Sequence, residues 1–318
     1  MEKYQDKGLV SIIMLSHGDG TYVVETVRSV LAQTYQNWEL LYVAQTNDET
    51  LEPLSSLREE DIDAQKRAGK ALTDSYRNSR IKVSYIVGQE HDTPRRNSAL
   101  ANARGRWIAF LDAGDIWEPT KLERQISFME AHGYAFSYTQ YGIIDRDSRD
   151  RGFVVGGKER VTYQDMMKCC WPAYLTVMYD AEKIGRLQLR NLEGNNDYAL
   201  WLMACEEADC HLLKENLAKL RTKWSIFGKV LLTKGIKWRY EVYRIEYRMN
   251  PVVSCLYTIR NDDFSYSRLG GGRPAGFFFG YCSRVSGGRS AYSDWASKQG
   301  QSFFTQGRSR CPRIFAPG

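Results

Sequence analysis

No apolar run in the 318-residue sequence reaches the about 18–20 residues that a membrane-crossing helix needs. The first seven residues are polar, and the apolar run that follows, Leu9–Leu15, is only strand length, so no secretory leader is expected. Cysteine occurs seven times, an odd number, and never as Cys-x-x-Cys; Cys169 and Cys170 are adjacent and poorly placed to bridge each other. This usage predicts free, mostly buried thiols in a reducing compartment. The four histidines, His17, His91, His132 and His211, are too scattered for a metal centre. Net charge is missing from most of the chain. Of 44 Lys+Arg and 38 Asp+Glu, residues 263–318 hold eight and two, which leaves 36 of each sign in residues 1–262. A neutral body lacks the basic surface that nucleic acid requires, so no nucleic-acid partner is expected.

What is present in the first half is alternation. Leu9–Leu15 (LVSIIML), Trp38–Ala44 (WELLYVA), Ile81–Val87 and Trp107–Leu111 (WIAFL) read as buried strands. Between and after them lie helical periods over Tyr22–Gln33, Glu52–Arg77 and Pro94–Arg104, and a helix opened by Pro119 that runs to His132 with Gly133 as its stop. Strands alternating with helices predict an α/β fold, a Rossmann-type, mostly parallel sheet covered on both faces. Ligands of such sheets bind beyond the carboxyl ends of the strands.

The second half is mixed. Ala135–Ile144 and Tyr174–Asp180 read as strands, Thr162-x-x-Asp165 as a capping box, and Asn196–Ala208 as a helix. Trp224–Met249 is basic and aromatic at helical spacing, with aromatics on two opposing sides. That suits either peripheral membrane contact or packing against the domain. From Asp263 the composition shifts to ten Gly, nine Ser and seven Arg with a single Leu, which predicts a disordered tail and equally fits a reading-frame change. The expected organisation is an α/β domain over 1–222, a basic, aromatic helical extension over 223–262 and a Gly/Ser/Arg-rich tail over 263–318.

The main chemical signal is the run from Ile108 to Leu122, in which a buried strand ends on Asp112 and a second acid, Asp115, follows three residues later. Carboxylates at a strand's carboxyl end can hold a hard divalent cation on a diphosphate; equally, they can form a turn and cap the next helix. Five segments, in order, resemble family-2 glycosyltransferases of the GT-A fold: Ser11–His17, Glu25–Leu40, Arg96-Asn97, Arg104–Asp112 and Asn196–Leu202. The resemblance spans residues 9 to about 222. It implies inverting transfer from a nucleotide-sugar donor, usually with Mn²⁺ or Mg²⁺, to a lipid-linked glycan acceptor in surface-polysaccharide synthesis. It also implies a cytoplasmic site at the inner face of the membrane.

Carried over position by position, the family's Asp-x-Asp falls on Asp112 and Gly114, so the second acid is absent and Asp115 is the candidate to replace it as a metal ligand. Where the family has acids after the second strand this chain has Gln45, Asn47 and Asp48, and Ser16-His17 stands in the first-strand loop. Those five residues, with Arg96 and Asp112, are the candidate donor-binding set. Asp197 falls on the family's catalytic base; as a bare sequence feature it could also be a helix N-terminal acid that complements the dipole. Trp201 reads as core. Two other readings stay open: a non-catalytic homologue acting as a binding or assembly subunit, and a nucleotidyltransferase. The latter lacks a Gly-rich, Lys-bearing phosphate loop near the first strand.

Overall fold

A computed structural model describes residues 7–15, 22–46, 80–87, 92–189, 196–221 and 239–258. The expected helix over 52–77 and the tail from 263 lie outside the described residues, all of which belong to one compact unit, Met1–Arg273. In chain order the elements are β1 (Val10–Leu15), α1 (Val23–Leu31), β2 (Trp38–Thr46), β3 (Ile81–Val87), α2 (Asp92–Asn102), β4 (Trp107–Phe110), β5 (Ile116–Trp117) and α3 (Lys121–His132). They continue with β6 (Phe136–Ile144), β7 (Asp150–Val155), β8 (Arg160–Val161), α4 (Tyr163–Lys168), a 3₁₀ turn (Tyr174–Thr176), β9 (Met178–Asp180), α5 (Ala181–Ile184), α6 (Asn196–Glu207) and β10 (Cys210–Arg221). A π-helical turn (Val242–Glu246) follows, and a helix over 251–258 closes the series.

The strands form one sheet in the order β3-β2-β1-β4-β9-β6-β10-β5, with β7 added to β6 and β8 to β10. The β3-β2-β1-β4 half is parallel; β9 is antiparallel to both of its neighbours, and β6 and β10 are parallel to each other. Every residue of β1 is buried because both faces are covered. Its period of two sends Val10, Ile12 and Met14 against α1 and α3, and Ile13 and Leu15 into the opposite core with α2 and α6. The helix over 121–132 ends as its sequence predicts, with Gly133 left-handed at φ 70°. Thr162 and Asp165 form the expected capping box. The run Tyr174–Asp180 is not one strand: a 3₁₀ turn takes its first three residues.

The amino edge of the sheet is fixed by a buried polar cluster. Glu39 accepts hydrogen bonds from Ser11 Oγ (2.7 Å), Lys82 Nζ (2.7 Å) and the Arg104 backbone N–H (2.8 Å), while Ser11 Oγ accepts from Gly105 N (2.8 Å). Burial alone would raise the Glu39 carboxyl, but Lys82, Ser11 and Arg104 outweigh it and hold the pKa down at about 2. Gly105 is required here: a Cβ would stand 2.6 Å from Leu9 O and from Ser11 N. On the other side of the sheet Lys121 is fully buried, its Nζ 2.7 Å from Gln125 Oε1 and 4.2 Å over the Trp117 ring; burial lowers its pKa to about 7.

Cys169, Cys170, Cys205 and Cys210 are free thiols, as expected; Cys255 is disulfide-bonded, so the expectation of free thiols fails at that position. Part of the expected helical extension over 223–262 packs into the domain, one of the two arrangements its aromatic pattern suits. Val242 and Tyr243 are fully buried in the core that holds α6, and Tyr243 Oη lies 2.8 Å from Tyr198 Oη. Among the described residues no helix is long and apolar enough to cross a membrane.

Candidate active site

The carboxyl edge of the parallel half is where β4 hands over to the acid turn. Leu111 N and Ala113 N continue the ladder to Ile13 O (3.0 Å) and Leu15 O (3.1 Å), so Asp112 leaves the sheet one residue from a fixed backbone bond. The turn closes through Asp115 N to Asp112 O at 3.1 Å, and Gly114 N donates to Thr26 Oγ1 on α1 at 2.9 Å. Gly114 has φ 120°, a conformation that side-chain-bearing residues rarely adopt. The missing second acid therefore coincides with a backbone that favours glycine. Asp112 is partly exposed, whereas Asp115 is buried and accepts the Arg221 backbone N–H on Oδ1 at 2.9 Å. The turn gives the two acids unequal access.

α6 brings the third carboxylate. Tyr198, Ala199, Leu200, Trp201, Leu202 and Ala204 are all buried, so the helix is enclosed on nearly every side rather than amphipathic. Its Trp201 packs edge-on to Phe110, the last residue of β4, with ring centroids 5.1 Å apart. The expected core role of Trp201 holds: it is fully buried. Asp197, in the first turn of α6, is partly exposed.

Arg96 of α2 joins these groups. Its guanidinium lies 4.6 Å over the Tyr174 ring, and the charges of Asp112, Asp197 and Asp92 act on it. Burial weakens its charge, but those neighbours more than offset the loss and raise its pKa above the ordinary arginine value. Burial likewise pushes the Tyr174 phenol up, so it stays protonated. Arg96 Nε is buried without an acceptor among the described residues. The adjacent Arg95 ion-pairs with Asp92. Asn97 clamps the backbone of Leu189, its Nδ2 donating to Leu189 O at 2.6 Å and its Oδ1 accepting from Leu189 N at 2.9 Å.

Of the residues singled out from sequence, Asp112 and Asp197 both act on the charge of Arg96, and Asp115 lies buried in the same turn as Asp112. Ser16, His17, Asn47 and Asp48 lie outside the described residues; Gln45 is described only as a backbone position at the end of β2, paired with Ile86. Among the described residues no three His, Cys, Asp or Glu side chains cluster as a closed metal cage. A Mg²⁺ or Mn²⁺ ion needs no such cage, since one or two carboxylates with phosphate and water suffice.

The family model described as glycosyl transferase family 2 matches residues 11–172. The chain belongs to glycosyltransferase family 2. It is 34% identical over 217 residues to TuaG of Bacillus subtilis (strain 168), whose name is that of a teichuronic acid biosynthesis glycosyltransferase; the match covers 68% of this chain and 79% of that one. It is 35% identical over 197 residues, 62% of this chain and 70% of the other, to WfgD of Escherichia coli. WfgD is named a UDP-Glc:α-D-GlcNAc-diphosphoundecaprenol β-1,3-glucosyltransferase. The crystal structure of S. aureus TarS 1–349 in complex with UDP-GlcNAc superposes with a TM-score of 0.56 at 15% identity, over 81% of this chain and 72% of that one, which shows the shared fold.

The candidate site contains two residues that sequence patterns did not flag. Tyr174 reaches Arg96 from a segment 78 positions away, inside a run that reads as strand. Arg221 ends β10 as one basic residue among several, with Lys219 and Lys223 on either side, and nothing in its local sequence marks it as a partner of Asp115.

Proposed function

We propose that the chain is an inverting glycosyltransferase that moves a sugar from a nucleotide-sugar donor to a lipid-linked glycan acceptor in cell-surface polysaccharide synthesis. The observation that carries this reading is the Phe110–Trp201 contact, which joins the strand that runs into Asp112 to the helix that begins beside Asp197, with the charges of both acids acting on Arg96. Two carboxylates with different tasks then flank one reaction centre. Asp197, partly exposed at the start of a rigid helix, takes the proton of the acceptor hydroxyl as that oxygen attacks the anomeric carbon and the nucleoside diphosphate departs. Arg96 is held by Tyr174 and has a spare N–H, which fits a positive group facing the diphosphate.

Asp112, partly exposed at the strand edge, would hold a divalent cation, Mn²⁺ or Mg²⁺, which when bound neutralises charge on the leaving diphosphate. Asp115 supports the same ion only through the turn or through water, because its Oδ1 already accepts from Arg221. Ser16, His17, Gln45, Asn47 and Asp48 complete the donor set in this reading. The diphosphoundecaprenol acceptor in the name of WfgD supports a lipid-linked acceptor here, used at the cytoplasmic face of the membrane. The basic, aromatic segment from Trp224 is the candidate for peripheral contact with that membrane.

The absent second acid at Gly114 favours a second reading, a homologue that binds or assembles without catalysis. Titration of UDP and GDP with and without Mn²⁺, followed by thermal shift, separates the two. At about 100 times Kd the nucleotide should add ~2.7 kcal/mol of stability, and Asp112→Asn should remove its metal-dependent part. No stabilisation by either nucleotide with Mn²⁺ or Mg²⁺ would leave the non-catalytic reading.

A further inference from the structure

Arg221 closes β10 with only 5% of its side chain exposed. Its Nε donates to Gly114 O at 2.8 Å. One terminal nitrogen donates to Asp145 O (3.0 Å), Arg146 O (3.2 Å) and Ser148 Oγ (2.9 Å), and the other to Glu25 Oε2 (2.6 Å). The guanidinium face rests 4.2 Å from the centre of the Tyr22 ring, and the Arg221 backbone N–H holds Asp115 Oδ1. Three segments therefore converge on one side chain: the acid turn after β4, the β6–β7 connection, and the start of α1 with Tyr22 and Glu25. Ser148 Oγ also donates to Glu25 Oε1 at 2.8 Å, which closes the ring between the last two.

These contacts need the planar fork of arginine. An ammonium has three donors at one point and cannot reach Gly114 O, the Asp145–Ser148 segment and Glu25 from a single place. The acceptors are mainly backbone carbonyls, so the interaction fixes main-chain positions rather than pairing two mobile surface charges. The turn it holds is the one that presents Asp112. Gly114 is bonded to α1 at its nitrogen and to Arg221 at its oxygen, so the turn has little freedom left.

We propose that Arg221 is a positioning residue that locks the Asp112–Asp115 turn against α1 and the β6–β7 connection, and so sets where Asp112 stands when the metal–diphosphate donor binds. Only the last clause rests on the donor-binding reading. The remainder concerns the fold of the edge itself.

The test compares full-length wild type, Arg221→Lys, Arg221→Ala and the milder Glu25→Gln. Amide hydrogen exchange is read over 112–115 and 145–149, with β1 and β4 as internal controls, beside Kd for UDP with Mn²⁺. The expected result is exchange at least about tenfold faster in both segments for Lys and Ala alike, with β1 and β4 unchanged. Nucleotide Kd should rise about tenfold, and lysine should fail to rescue it. Unchanged exchange in either segment overturns the lock. Faster exchange with unchanged Kd, or full rescue by lysine, overturns the positioning role. If Arg221→Ala does not fold, Glu25→Gln decides, since removing one contact should raise exchange at 145–149 by a smaller factor, and no rise overturns the proposal. Should wild type bind no nucleotide, the donor reading fails while the exchange data still decide the lock.

Discussion

The Trp201 indole meets the Phe110 ring edge-on, at 76° with centroids 5.1 Å apart. Phe110 stands two residues before Asp112, and Trp201 lies one helical turn after Asp197. This contact couples the strand that presents one carboxylate to the helix that presents the other. Both rings are fully buried, so Trp201→Ala should cost about 3–5 kcal/mol, and Trp201→Phe less. Urea unfolding of the two variants checks the magnitude. An alanine cost below about 1 kcal/mol would remove this contact as the fastening of α6.

Glu39 predicts an acid-sensitive term in stability. Its pKa falls from 4.5 to about 2 on folding, so the unfolded state binds the proton more readily. The contribution is therefore complete above about pH 5 and is lost as pH falls toward 2, with a size of about 3 kcal/mol. Glu39→Gln should lower stability at pH 7 by about this amount and flatten the slope between pH 5 and pH 2.5. Melting curves across that range test it; a variant with the wild-type slope would contradict it.

At position 114 the natural idea is to restore the family's second acid. The backbone argues against it. Open space surrounds a Cβ there, but φ 120° imposes strain of about 1–3 kcal/mol on any side-chain-bearing residue. Gly114→Asp should therefore fold with a melting temperature lower by several degrees and should not tighten Mn²⁺-dependent nucleotide binding. Tighter binding at an unchanged melting temperature would mean that the turn relaxes at no cost.

The parallel half of the sheet was legible because its strands are short, apolar and separated by clean helical periods; β1, β3 and β4 lie within a residue of where LVSIIML, the 81–87 run and WIAFL put them. β10 was not. Register shifts between Leu213 and Asn216, and between Asn216 and Ala218, break its alternation, and Lys214 and Asn216 face outward in the middle of it. The acids Asp112 and Asp197 stood out because each opens or closes a strongly patterned element. Tyr174 and Arg221 did not, since their roles arise from contacts across 78 and 107 positions that no local pattern encodes. The burial of Lys121 was equally hidden, because a lysine in a helix's first turn reads as solvated.

The most direct test of the proposed mechanism is Asp197→Asn, with sugar transfer, nucleotide affinity and melting temperature measured on one preparation. The substitution keeps the shape and removes the proton acceptor. Transfer should fall by about 10²-fold or more while nucleotide affinity stays near wild type. If Asp197 served only to complement the α6 dipole, the variant would lose roughly 0.3–1 kcal/mol of stability and turn over normally. A lower melting temperature with undiminished transfer would contradict the assignment of Asp197 as the base.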